Sequence, residues 1–97
     1  METIQEIIRP TQKGKKYTAI IKMPNGKTRK VSFGAKGYTQ YRDSTPLKLY
    51  SSKDHLDKNR RERYFERHSG VKTKKEALAK EKGNKITAKY LSHFYLW

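Results

Sequence analysis

Between Tyr17 and Met23 the chain reads Tyr-Thr-Ala-Ile-Ile-Lys-Met, and from Thr28 to Phe33 it alternates again, with Pro24-Asn25-Gly26-Lys27 between the two runs. β-Branched and aromatic residues at period two, separated by turn residues, specify an antiparallel hairpin. Tyr17, Ala19, Ile21 and Met23 share one face of the first strand, and Val31 and Phe33 match them on the second. Lys22 and Lys30 then point to water, with Lys27 and Arg29 near the turn.

Around this hairpin the sequence predicts short helices. Residues 54–68, DHLDKNRRERYFERH, are rich in helix formers, with Ser52 or Asp54 as cap and Gly70 as stop. Asp54/Lys58 and Asp57/Arg61 are acid-before-base pairs at i, i+4. Leu56, Tyr64 and Phe65 are the expected anchors. Thr73-Lys-Lys-Glu76 is a capping box opening a second helix to Lys82, stopped by Gly83-Asn84. A last helix begins near Thr87, with Ile86, Tyr90 and Phe94 four apart and Leu91 and Tyr95 on the adjacent stripe. Residues 4–8 fit either an edge strand or one helical turn ended by Pro10, and Gly37–Tyr41 fits a third short strand. The expected fold class is α+β: an N-terminal antiparallel hairpin of two or three strands, then two or three short helices. A single small basic domain spans residues 1–97, with residues 1–15 as a flexible basic arm.

Such a body has little apolar material to close on. Hydrophobic residues are 33% of the 97, and 24 lysines and arginines against 9 acids leave a net charge of +15. Asp43 is the only acid between Arg9 and Tyr50. Repulsion on that scale destabilises a compact state and favours an anionic partner. With no cysteine there are no disulfides, thiolate metal sites or cysteine nucleophile. No run of about 18 apolar residues occurs, and the N-terminus lacks a signal-peptide pattern. His55, His68 and His93 show no metal-ligand spacing, and Ser, Asp and Glu form no catalytic pattern. The chain is therefore expected to be non-enzymatic, without metal, cofactor or small-molecule substrate.

Three constellations remain. Phe33 to Tyr41 is a basic loop bracketed by Gly34 and Gly37, in which backbone amides and Lys36 suit a phosphate while Tyr38 and Tyr41 suit a base. Lys58, Arg60, Arg61, Arg63 and Arg67 surround about half a helix, and each guanidinium meets phosphate oxygens in pairs. The aromatic segment from Tyr90 to Trp97 reads as core against the hairpin face.

Phe33-Gly34, Gly37-Tyr38 and Tyr41, then His55-Leu-Asp57 continuing to Arg60, Arg61, Tyr64, Arg67 and His68, then Thr87, Leu91-Ser92 and Leu96-Trp97 form three ordered blocks. They resemble a family of small basic proteins encoded by nucleocytoplasmic large DNA viruses, over roughly residues 16–97. The family pattern has Asp where Gln40 stands, a shorter loop over residues 42–53, and often a Trp after Arg67-His68. The resemblance implies a viral protein within an infected cell or the virion, and supplies no catalytic residue. Tyr64, His68 and Trp97 are expected to hold helix to hairpin. The leading expectation is sequence-tolerant binding of nucleic acid, DNA before RNA, through Lys22, Lys27, Arg29, Lys30, Lys36, Tyr38, Lys58, Arg60, Arg61, Arg63 and Arg67. The alternative is a minor capsid protein bridging acidic virion subunits.

Overall fold

A computed structural model describes residues 2–83 and 85–97. The hairpin forms as its alternation specifies: β2 (Lys15–Lys22) and β3 (Thr28–Ala35) pair antiparallel, with Tyr17 opposite Phe33 and Ala19 opposite Val31. Its turn closes through the Gly26 amide on the Met23 carbonyl at 3.0 Å and the Met23 amide on the Lys27 carbonyl at 2.8 Å. The third strand is β1 (Thr3–Ile8), antiparallel to the other edge of β2, so the sheet order is β1-β2-β3. Residues 4–8 thus take the edge-strand reading, and the arm expected over residues 1–15 is an ordered strand leading into a turn; Met1 lies outside the described residues. A bulge between Ile4 and Glu6 explains why the period was ambiguous. Three residues apart, Ile4 and Ile7 would face opposite sides of a regular strand, and the extra residue brings both toward the core.

Residues 37–41 do not form a strand. Gly37 takes φ 95°, turning the chain off the sheet, and only a single parallel bridge between Gln40 and Asp54 remains. The following loop wraps around two carboxylates instead. Buried Asp43 accepts from the Tyr17 hydroxyl, from the Thr45 amide at 3.0 Å and hydroxyl at 2.6 Å, and from the Tyr50 amide at 3.1 Å. Asp54 accepts from the Asp43 amide at 2.8 Å and the Gln40 side chain at 2.6 Å.

Helix α1 (Lys58–Ser69) starts four residues later than expected because Leu56 adopts a left-handed φ of 54°. Asp57 is the cap, accepting from the Asn59 and Arg60 amides at 2.9 and 3.2 Å, in place of Ser52 or Asp54. The Asp54/Lys58 and Asp57/Arg61 pairs consequently do not lie within the helix. Gly70 ends it at φ 70°. Leu56 is 59% exposed and anchors nothing; Phe65 is fully buried. Thr73 caps α2 (Lys74–Glu81), but the Glu76 carboxylate accepts the Thr73 hydroxyl and not its amide, so the reciprocal box is half made. Lys82 leaves the helix in extended backbone, ahead of the predicted stop, of which Asn84 falls outside the described residues.

Helix α3 (Ala88–Tyr95), capped by Thr87, lays its apolar side on the sheet. The core joins Ile7, Tyr17, Ala19, Ile21 and Phe33 to Leu91 and Leu96, and each fully buried Ile, Leu or Phe stabilises the fold by about 1.5–3 kcal/mol. The Ile86/Tyr90/Phe94 stripe is peripheral, with Phe94 41% exposed, while Leu91, His93 and Leu96 turn inward. Met23 is only half-buried. No helix among the described residues is long and apolar enough to cross a membrane.

Candidate functional site

Arg60, Arg63 and Arg67 stand at i, i+3 and i+7 of α1, so at 100° per residue they share one face with Tyr64 and His68. The loop after β3 stands opposite that face. Between the two walls lies a cleft of about 520 Å³ lined by Lys16, Gly34, Ala35, Tyr38, Thr39, Gln40, Arg60, Arg63, Tyr64, Arg67, His68, Ser92, Leu96 and Trp97. No Asp or Glu lines it.

The loop wall is held from behind by Lys16. This side chain lies within the alternating strand at a position that would normally face water, yet it is 1% exposed. Its ammonium donates to the Tyr38 carbonyl at 2.7 Å and to the Gln40 side-chain oxygen. Burial lowers the Lys16 pKa, and Asp43 opposes that shift. Gln40 is the hub of this wall. Its amide nitrogen donates to the Tyr50 carbonyl at 2.8 Å and to Asp54, while its backbone bonds Lys53 at 3.1 Å and His55 at 2.9 Å. An Asp at this position could accept from Lys16 but donate to neither Tyr50 nor Asp54.

The floor is aromatic. Tyr64 and Trp97 stack with centroids 4.1 Å apart and planes 4° from parallel, and the other neighbour of Trp97 is His55 at 5.2 Å. Leu96 sits beneath Gly34, where a Cβ would come within 2.9 Å of its Cδ1 and 3.1 Å of the Lys16 Cβ. The close approach that Gly34 permits is therefore to the protein's own side chains. At one end the walls touch, the Arg60 guanidinium donating to the Thr39 hydroxyl at 3.1 Å. His68 is held below the usual imidazole range by burial and by Arg67 and Lys89.

No family model, curated protein or solved structure matches the chain.

Of the residues singled out in the sequence, Tyr38, Arg60, Arg63 and Arg67 meet in this cleft. Arg61 does not: it lies over the Tyr41 ring, 4.2 Å from its centroid, and is half-buried. Arg29 donates to both carboxylate oxygens of Glu2, at 2.9 and 2.6 Å, and to the Ile86 carbonyl at 2.7 Å, so its charge holds β1 and the lead into α3 together. Arg29 and the Ile86 amide hold the Glu2 carboxyl down to about 2. Lys22, Lys27, Lys30, Lys36 and Lys58 are exposed and line no part of the cleft. Ion pairing consumes little of the excess charge: among the described residues only Arg29 to Glu2 and Lys89 to Glu81 pair. The residues missed were Lys16 and Thr39, for which the sequence carries no signal of a site.

A buried polar chain lies behind the floor. The Ser69 hydroxyl donates to Glu81 at 3.0 Å, so it accepts from His93 Nε2 at 2.8 Å, and His93 Nδ1 accepts from the Tyr64 hydroxyl at 3.0 Å. Burial holds His93 down to about 4 against the pull of Glu81, so the ring is neutral at pH 7 and has Nδ1 free to accept. Burial likewise pushes the Tyr64 hydroxyl up. The three residue types invite comparison with a hydrolytic triad, but here the serine sits between histidine and carboxylate, and Ser69 and His93 are both buried away from any substrate. The chain braces α1 against α2 and α3. Among the described residues no three His, Cys, Asp or Glu side chains cluster to hold a metal.

Proposed function

We propose that this protein binds nucleic acid by phosphate neutralisation at the cleft between α1 and the 34–40 loop, without selecting sequence. The observation that carries the reading is the Arg60, Arg63 and Arg67 face, turned into a concave site with no acidic lining and, among the described residues, no ion pair to any of the three. Guanidinium groups meet phosphate oxygens in pairs, and the exposed lysines of the hairpin add long-range attraction. The resemblance to small basic proteins of large DNA viruses suggests a setting in genome packaging or viral gene expression.

A fluorescence-anisotropy titration of labelled oligonucleotide across a salt series tests it. Contact with roughly five to eight phosphates gives a slope of log K against log salt of about −4.5 to −7 on a duplex or about −3.5 to −5.5 on a single strand, and Arg63→Ala/Arg67→Ala makes it shallower by about 1.5 to 2, equally for all sequences. A salt-independent affinity, or a double variant indistinguishable from the parent, refutes the proposal. Binding to acidic virion protein with none to nucleic acid would transfer the cationic surface to a capsid role.

A further inference from the structure

Resting on the nucleic-acid reading, we infer that the cleft takes an unpaired strand in preference to a duplex, its backbone lying on Arg63 and Arg67 and one base lying on the ring of Tyr38.

The shape of the site argues for this first. A helix reads duplex DNA by entering the major groove, about 12 Å wide, with its binding face outermost. Here the arginine face of α1 is the inner wall of a cleft. The 34–40 loop stands in front of it, and the Arg60 to Thr39 bond closes one end. The three arginines are exposed along the cleft, but seating that helix face in a duplex groove would displace a loop whose Tyr38 carbonyl and Gln40 side chain are fixed from behind by buried Lys16. A single strand is slim enough to lie between the walls. Arg60 to Arg67 spans seven residues, about 10.5 Å of helix axis at 1.5 Å each, room for consecutive phosphates of one strand.

Tyr38 supplies the second argument. It is 72% exposed, the most exposed large hydrophobic side chain among those described, and no other aromatic ring pairs with it. Its backbone is nevertheless anchored, through the Lys16 bond to its carbonyl and its own amide on the Ala35 carbonyl at 3.3 Å. An open ring face on a fixed backbone at the lip of a cationic cleft is what a stacking platform for bases requires. Tyr64 and Trp97 cannot share that task, since they cover one another and His55 packs beside Trp97. The site therefore stacks one base.

The test compares a labelled oligothymidylate with a duplex of equal length at one salt concentration, using the parent protein, Tyr38→Ala and Tyr38→Phe, with an oligouridylate arm to distinguish DNA from RNA. The single strand binds more tightly than the duplex. Tyr38→Ala weakens strand binding by about 5- to 150-fold, leaves duplex binding unchanged, and Tyr38→Phe restores the parent affinity. Because Tyr38 lies outside the core, the variants fold. Equal or tighter duplex binding, or an equal Tyr38→Ala effect on both, overturns the single-strand assignment while salt-dependent binding survives. Failure of the parent to bind either overturns the nucleic-acid reading itself.

Discussion

Gly34 offers the sharpest check on how the cleft is built. Its φ of 78° places it in the left-handed region, and a Cβ there would meet Leu96 Cδ1 at 2.9 Å and the Lys16 Cβ and Cδ at 3.1 and 3.3 Å. Gly34→Ala therefore incurs about 1–2 kcal/mol for the backbone of an L-residue. Overpacking against a fixed core adds about 1–3 kcal/mol, and reduced freedom of the unfolded chain returns about 0.4–1 kcal/mol. The net loss is about 1–4.5 kcal/mol, a large share of the roughly 5–15 kcal/mol that holds a domain together. Gly37→Ala is the control, because Gly37 has a comparable φ of 95° with nothing within 4 Å of a new Cβ. Urea unfolding of both variants, with unchanged m-values, isolates the steric part as the difference between them. Adding Leu96→Ala to Gly34→Ala should cost less than the two single losses combined, since it removes the atom that clashes. If Gly34→Ala and Gly37→Ala agree to within about 0.5 kcal/mol, the packing of Leu96 under Gly34 is refuted.

Two further outcomes concern the buried polar groups. His93 is neutral in the fold down to about pH 4, while in the unfolded chain it takes a proton near 6.5, so the unfolded state holds more protons between those values. Stability is complete above pH 6.5 and falls as pH drops toward 4, by up to about 3 kcal/mol. Urea midpoints at pH 7, 5.5 and 4.5 should show a steeper decline for the parent than for His93→Gln, and parallel declines would contradict the assignment. Tyr17→Phe removes the hydroxyl that donates to Asp43 and accepts the Leu49 amide at 2.8 Å, leaving the buried Asp43 carboxylate short of one donor at about 1–3 kcal/mol. A Tm drop of about 4–24 °C by circular dichroism is expected, and one under about 2 °C would be inconsistent.

The hairpin, the Thr73 cap and the start of the last helix near Thr87 were legible because each rests on neighbours in sequence. The third strand was not, since its bulge gives Ile4, Ile7 and Ile8 a spacing that fits helix as well as strand. The start of α1 depended on Leu56 adopting a left-handed φ, which nothing in a leucine announces. Within the site, the spacing of Arg60, Arg63 and Arg67 was in plain view, but what they face was not. Arg60 and Arg61 looked equivalent until tertiary contacts sent one to the cleft and the other to Tyr41. Lys16 falls just ahead of the strand expected from Tyr17, and only the return of residues 38–40 across it creates its buried role.

The Glu2 carboxylate has one partner 27 positions away in Arg29 and another 84 positions away in the Ile86 amide, bonded at 2.7 Å. Neither the outer strand nor the approach to the last helix can detach without breaking the same joint. Native-state hydrogen exchange should accordingly find a single opening free energy shared by amides of Ile7, Ala19 and Leu91. Closing so long a stretch of chain through one side chain makes assembly of this joint a late step in folding, and makes unfolding from the edge of the sheet a concerted event instead of a gradual fraying.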